Sequence, residues 1–235
     1  MTEDIQRVLP DENSLTELLE KIYIEKGWDF RSYKKSSLIR RIAIRLDANH
    51  ISSYQDYSFL LDSDHSEYDR LFSVLTIKVS EFFREPRVFS LLKNATLSRL
   101  AGRDGLRAWS CGCAYGNEAY SIAILLAECL GLEKLRNAKI YATDIDNDAL
   151  DIARAAVFHN DSMLNVSDIQ RERYFFGFNG AYKVRYDTRD SVRFGSLNIV
   201  KHPPISKIDI LFCRNLLIYF EKGLQMTVLR KLDYA

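Results

Sequence analysis

The chain has 235 residues, 47% of them hydrophobic, enough for one large core or for a small domain joined to a larger one. Its 33 basic and 32 acidic residues leave a net charge of +1, which carries no polyelectrolyte signal for nucleic acid. No apolar run approaches the roughly 18 residues that a membrane span needs. The polar start MTEDIQRVLPDENS is no secretory leader, so a cytoplasmic protein is expected. Cys111, Cys113, Cys129 and Cys213 sit in apolar surroundings and read as buried small hydrophobes. Cys111 and Cys113 have no second Cys or His pair at ligand spacing, so no metal is expected.

The first hundred residues read as short helices. Ser14-Leu-Thr-Glu17 is a capping-box pattern, and Gly27 is placed to stop that helix. A second helix is predicted over 36–48. Ser53-Tyr-Gln-Asp56 and Ser66-Glu-Tyr-Asp69 open a third and a fourth, and Pro86 suits the first turn of a fifth over about 86–100. After Gly102 the texture changes. Leu106–Cys111 is a short apolar run, like a buried parallel strand, with a helix from about Asn117 and Gly131 just past its end. Lys139–Thr143 reads as a second strand and Asn147–Val157 as a second helix. Tyr182–Tyr186 and Ser191–Ser196 look like strands joined by a turn at Asp187–Asp190. Ile208–Cys213 is another buried strand, with a helix from about Glu221. Alternating strands and helices predict an α/β sheet with right-handed crossovers after a small all-α domain. The boundary is expected in the helix or turn at 86–104, giving a helical domain over 1–90 and an α/β domain over 91–235.

The stretch WSCGCAYGNEAYSIAILL, Trp109–Leu126, sits where the first strand meets its helix. Ligands of open α/β sheets bind at the carboxyl ends of the strands. Here Gly112 and Gly116 bracket a tight loop in G-x-x-x-G spacing, not the phosphate-binding G-x-G-x-x-G, and Glu118 stands at the helix start. That acid repels an anion but suits an amino group. The second strand ends in Ala142-Thr-Asp-Ile-Asp146, which places Asp144 to accept both ribose hydroxyls. Together these features suit a nucleoside with an amino-acid tail and no phosphates, such as S-adenosylmethionine. A plain strand-turn-helix with a capping acid is the other reading.

Four strings occur in order: Leu75-Thr-Ile-Lys-Val-Ser-Glu-Phe-Phe-Arg-Glu-Pro86, GCAYGNEAYSIA, ATDID and Phe212-Cys-Arg-Asn-Leu-Leu-Ile-Tyr-Phe220. Together they resemble the bacterial chemotaxis-receptor glutamate methyltransferases, the CheR family, over nearly the whole chain. The resemblance implies a Rossmann-like S-adenosylmethionine-dependent methyltransferase sheet. It also implies a place in the cofactor pocket for Ser80, Arg84, Gly112, Glu118 and Asp144, with Asn198 and Ile199 near the adenine and Asn215 and Leu216 in the segment after Arg214. Tyr219 matches the tyrosine facing the transferred methyl, and Arg84 or Arg214 is expected to orient the substrate carboxylate. Where the family has an asparagine, this chain has Lys78, so that contact is not carried over; Asn117 and Ala119 also depart from the family's G-E-E-P-Y-S. Phe82 and Phe83 read as core. The family's sheet has seven strands and only the first four are counted here, so a longer gene product or a second chain is expected to complete it.

The implied reaction is transfer of a methyl group to glutamates on the cytoplasmic helices of methyl-accepting chemotaxis receptors. Lys34, Arg41 and Arg45 fall on one stripe of the second helix, with Ile39, Ile42 and Leu46 turned to the core. The stripe is a candidate docking face for an acidic receptor helix, or simply a solvated face. Some family members grip a receptor's C-terminal pentapeptide with a small β-subdomain. The corresponding stretch, Phe175–Val192, leaves room for a hairpin but looks shortened, so no dependence on such a tether is expected. A cofactor-binding module without catalysis is the rival reading. A nucleic-acid methyltransferase is disfavoured by the near-zero charge and by the lack of a base pocket such as N-P-P-Y.

Overall fold

The structure is a computed structural model that describes residues 12–76, 78, 80–94, 100 and 102–235. These form a helical unit, residues 12–76 with Ile218–Gln225, and an α/β unit, Lys78–Leu217 with Met226–Ala235. The division falls just before Lys78, not near residue 90 as expected. The reason is apolar: Phe82, Phe83 and Phe89 are all buried in the α/β core.

In the helical unit, α1 (Glu12–Lys26) buries Leu15, Leu18, Leu19 and Ile22, the i, i+3, i+4, i+7 stripe of an amphipathic helix. It ends at Gly27, whose left-handed φ of 69° lets its N–H reach back to the Tyr23 carbonyl. Ser14 is not a cap, because it lies inside the helix and is buried. Helix α2 (Lys35–Ala48) buries Leu38 and Ile42. Ser53 does cap α3 (Tyr54–Ser63), accepting the Asp56 N–H at 3.0 Å. Ser66 is already the first residue of α4 (Ser66–Leu75), and the Asp64 carboxylate takes its N–H instead. One buried carboxylate ties three of these helices together. Glu67 on α4 takes a bidentate pair from Arg45 on α2, both bonds 2.8 Å, and the Tyr57 hydroxyl of α3 at 2.8 Å.

In the α/β unit Pro86 opens α5 (Pro86–Leu92); residues 95–99 of the longer helix expected there lie outside the described ones. Strands β1 (Arg107–Cys111) and β2 (Lys139–Asp144) are joined by α6 (Asn117–Leu130) and the short α7 (Leu132–Asn137), which the sequence did not announce. After α8 (Asn147–Ala155) come β3 (Val157–His159), α9 (Asp168–Tyr174), β4 (Phe175–Phe178), β5 (Ala181–Val184), α10 (Tyr186–Arg189), β6 (Val192–Ser196), β7 (Ile210–Phe212) and α11 (Lys222–Asp233). The main sheet has the order β6-β2-β1-β7 and is parallel throughout. The order reverses between β1 and β7, so a crevice for a ligand lies at their carboxyl ends.

The expected pairing of 182–186 with 191–196 is corrected. Those segments belong to different sheets: β6 pairs with β2, while β5 lies between β3 and β4 in a small antiparallel sheet. The hairpin is β4–β5, turned at Asn179 and Gly180, both at positive φ. Phe82 fastens it to the core through edge-on contacts with Phe158 and Phe175 at 4.8 and 5.1 Å between ring centres.

The Glu67 cluster generates a stability prediction. Burial pushes its carboxyl up, but hydrogen bonds from Arg45, Tyr57 and Arg70 outweigh that and hold it below the usual range. A depressed carboxylate stabilises the fold above the unfolded value of about 4.3, and that stability is lost as pH falls through the lower folded value. Glu67→Ala should cost about 3–5 kcal/mol in chemical denaturation at pH 7, since Arg45 would be left buried without its partner. Wild type should weaken below about pH 5, and Glu67→Gln should weaken less over the same window. Denaturation of Glu67→Ala at the wild-type midpoint would refute this role.

Candidate functional site

The parallel register sets Cys111 beside Thr143, so the loop after β1 and the end of β2 emerge side by side. The loop is then stitched down. Gly112 and Cys113 N–H groups both donate to the Thr143 carbonyl, at 2.8 and 3.0 Å, and Gly116 N–H donates to the Cys113 carbonyl at 2.9 Å. The Ala114 N–H donates to Asp144 Oδ2 at 2.8 Å. Donors that would cradle a phosphate in a Gly-rich loop are therefore committed to the protein. The glycines serve chain packing. Gly116 has φ +84°, and a Cβ there would meet Ala153 Cβ at 2.9 Å and the Phe194 ring at 3.0 Å. Gly112 has φ +78° and lies against Leu216, 3.3 Å from where its Cβ would be.

Two half-buried carboxylates face this crevice region from different elements. Asp144 Oδ1 also accepts the Asp146 N–H at 3.1 Å, so backbone donors pin both carboxylate oxygens. Burial pushes its pKa up, against the backbone hydrogen bonds from Ala114 and Asp146. Glu118, in the first turn of α6, accepts the Ser110 hydroxyl at 2.7 Å and lies 3.3 Å from Arg214 Nη1. Burial raises its pKa as well, opposed by Ser110 and Arg214. Acceptors whose charge is poorly solvated favour a ligand bringing hydroxyl donors and a cationic amino group, and they disfavour an anion. The acceptor set thus fits a nucleoside with an amino-acid tail.

Arg214 follows β7 and is held on several sides. Its Nη2 donates to the Arg84 carbonyl at 2.8 Å and lies 3.4 Å from Glu85. The next residue, Asn215, has φ 55°, a left-handed turn that asparagine tolerates better than most side chains. Arg84 belongs to the strained turn between Phe83 and Glu85, both at positive φ, and the Phe83 N–H is caught by the Ser121 hydroxyl at 2.9 Å. Phe82 and Phe83 are core, as expected. Ser80 lies half-buried just before this turn.

Asn198 and Ile199 form the turn after β6. The Asn198 side-chain oxygen accepts the Val200 N–H at 2.9 Å, and Ile199 is buried. Sequence reasoning missed the groups that fix this turn. His202 Nδ1 accepts the Asn198 N–H at 3.1 Å, and the Lys231 ammonium donates to the carbonyls of Ile199, Val200 and His202 at 3.1, 2.6 and 3.1 Å. The closeness of His202 to Asn198 in sequence was a visible signal; for Lys231, on α11, there was none.

The remaining expected residues lie in the helical unit. Tyr219 is half-buried, and its carbonyl accepts the Lys34 N–H at 2.9 Å. The docking stripe is revised. Arg45 is committed to Glu67, and Arg41 is partly buried with Nη1 on the Val74 carbonyl at 2.7 Å. Lys34 and Arg40 are exposed and, among the described residues, have no ion-pair partner. Arg40, outside the expected stripe, is thus the better-presented cation.

A parallel sheet that switches order beside a stitched loop, with acceptors rather than phosphate donors at its rim, is the frame of a methyltransferase that uses S-adenosylmethionine. Comparison with known proteins narrows this. The model described as "CheR methyltransferase, SAM binding domain" matches residues 78–235, and the one described as "CheR methyltransferase, all-alpha domain" matches 13–76. The chemotaxis protein methyltransferase of Klebsiella aerogenes is 31% identical over 234 residues, covering 96% of this chain and 79% of that protein. The protein of the same name from Escherichia coli strain K12 is 32% identical, over 89% and 75%. An uncharacterised 104.1 kDa protein of Rhodobacter capsulatus is 30% identical over 94% of this chain, which spans only 24% of that protein. The chain belongs to the CheR methyltransferase family, and its α/β unit is an S-adenosylmethionine-binding domain. No helix among the described residues is long and apolar enough to cross a membrane, and no cluster of His, Cys, Asp and Glu among them could hold a metal ion.

If Asp144 binds the ribose, as the family resemblance implies, Asp144→Ala should lose two hydrogen bonds, roughly 1–3 kcal/mol, or about 5- to 150-fold in affinity for S-adenosylhomocysteine. Isothermal titration measures it. An unchanged dissociation constant would remove Asp144 from the ribose site.

Proposed function

We propose that this chain is a protein-glutamate O-methyltransferase that esterifies glutamates on the cytoplasmic helices of methyl-accepting chemotaxis receptors. The observation that carries the reading is the match of both family models, which meet where the structure itself divides, at residues 76 and 78. The Klebsiella and Escherichia relatives are named chemotaxis protein methyltransferases, which supports a chemotaxis substrate. The rival, a cofactor-binding module without catalysis, has no such support.

When bound, the cofactor would supply an electrophilic methyl on a sulfonium for displacement by a glutamate carboxylate, with the neutral thioether as leaving group. A glutamate of ordinary pKa, about 4.3, is already ionised at neutral pH and needs no general base. Of the histidines, His202 braces the Asn198 turn, and His50, His65 and His159 lie outside the site residues. Alignment and exclusion of water then carry the rate. Asp144 accepts from the ribose and Glu118 from the amino group. Arg214 holds Glu118 and the Arg84 turn in place, and the arginines favour a carboxylate over a neutral acceptor. The family resemblance gives Tyr219 the role of presenting its hydroxyl to the transferred methyl. The helical unit meets the receptor through exposed Lys34 and Arg40, and the protein acts in the cytoplasm.

Tritiated-methyl transfer to receptor-containing membranes, read as alkali-labile methanol, tests the activity. Tyr219→Phe should lower kcat more than it lowers cofactor affinity. Cofactor binding without label transfer to any receptor would favour the non-catalytic module, and a loss confined to cofactor affinity would make Tyr219 a binding residue.

The docking face needs a different variant from the obvious one. Arg45→Glu would break the Glu67 pair and damage the fold, so Lys34→Glu with Arg40→Glu is the clean choice. Methylation of intact receptor should slow at low salt, and the gap should close as exposed charges are screened over about 8–10 Å near physiological ionic strength. Cofactor binding should stay at the wild-type value. Equal rates at low salt would return these cations to being a solvated face.

A further inference from the structure

Lys78 stands where the family pattern has an asparagine, and it has a different task here. Its ammonium lies 2.6 Å from Asp146 Oδ2, with the lysine side chain 17% exposed and the aspartate 3%. Asp146 is in turn used on both of its other faces. Its Oδ1 caps α8 by accepting the Ala149 N–H at 3.0 Å, and its own N–H donates to Asp144 Oδ1 at 3.1 Å. The chain of contacts therefore runs from Lys78 through Asp146 to the carboxylate assigned to the ribose. It closes on the glycine loop through Asp144 and the Ala114 N–H.

Two carboxylates one residue apart in a poorly solvated turn repel each other, and Asp146 is one of the groups that push the Asp144 carboxyl up. A cation against Asp146 offsets that repulsion without touching Asp144. The geometry points to Lys78 as a positioning residue of the cofactor site. It fixes Asp146, and Asp146 fixes the orientation of Asp144. This rests on the assignment of the α/β unit as the cofactor-binding unit with Asp144 on the ribose.

The test is a double-mutant cycle on the whole chain, read as the dissociation constant of S-adenosylhomocysteine by isothermal titration well below each variant's melting temperature. Lys78→Met should weaken binding roughly tenfold, because it leaves Asp146 buried without its partner. Lys78→Arg, which keeps the charge, should recover most of that loss. Asp146→Asn can still cap α8. Combined with Lys78→Met it should bind no worse than Asp146→Asn alone, because Lys78 has nothing left to hold once the aspartate's charge is gone. Wild-type affinity in Lys78→Met, or losses that multiply in the double variant, would overturn the inference. The second outcome would put Lys78 directly on the ligand. Hydrogen exchange of the ligand-free protein separates this from a failure of the cofactor assignment. If wild type does not bind S-adenosylhomocysteine, that assignment falls. The amides of Ala114 and Asp146 should still exchange faster in Lys78→Met and regain protection in Lys78→Arg, while 12–76 stays unchanged. Unaltered exchange at those amides would dismiss Lys78 as their anchor.

Discussion

The hydrogen bond from the Ala114 N–H to Asp144 holds the site together. It joins the loop after β1 to the end of β2, strands that are neighbours in the sheet but some thirty residues apart in the chain. One oxygen of a side chain that is to meet a ligand is thereby committed to the backbone. The carboxylate is fixed in orientation by the backbone before any ligand arrives. Such fixing lowers the ordering cost of binding. The expense is electrostatic: Asp144 and Glu118 are both held with their charge poorly solvated. Only a ligand with the right donors relieves this, which makes the same groups a source of selectivity against anions.

Much of this was legible in the sequence where burial is two-sided. Leu106–Cys111 and Lys139–Thr143 read as strands because a strand covered on both faces is a continuous apolar run, and the structure places strands there within a residue. The acids were legible by position, since a carboxylate at a strand's carboxyl end or in a helix's first turn falls at the ligand crevice. What failed was pairing. Alternation in 182–186 and 191–196 looks the same whichever sheet each strand joins, so the pattern alone cannot tell that these segments belong to different sheets. The informative signal was Asn179-Gly180, a preferred two-residue hairpin turn, flanked by FFGF and AYKV. Caps failed for a related reason. A serine three residues before an acid also occurs inside helices, as at Ser14, and only geometry distinguishes that from Ser53.

The basic segment of α2 shows how little a charge pattern alone decides. Arg41 and Arg45 sit on the helical stripe read from the sequence, yet Arg45 is half of a buried bidentate pair and Arg41 is partly buried against Val74. Their charge supports the helical core. The cations left for long-range attraction are Lys34 and Arg40, which differ from the others only in what stands opposite them. A partner such as Glu67 is remote in sequence, and no periodicity could have revealed it.

The chain's two tryptophans fall one to each unit, which makes the protein its own reporter. Trp28 packs against Phe72 and Tyr68 in the helical core. Trp109 is fully buried in β1, and its indole N–H donates to the Thr143 hydroxyl at 2.9 Å, one residue before Asp144. Emission from Trp28 therefore follows the helical unit, and emission from Trp109 follows the strand ends that carry the site. Replacing either tryptophan with phenylalanine leaves a single tryptophan, so under excitation selective for indole the melting of each unit can be followed separately in one intact chain without any added label.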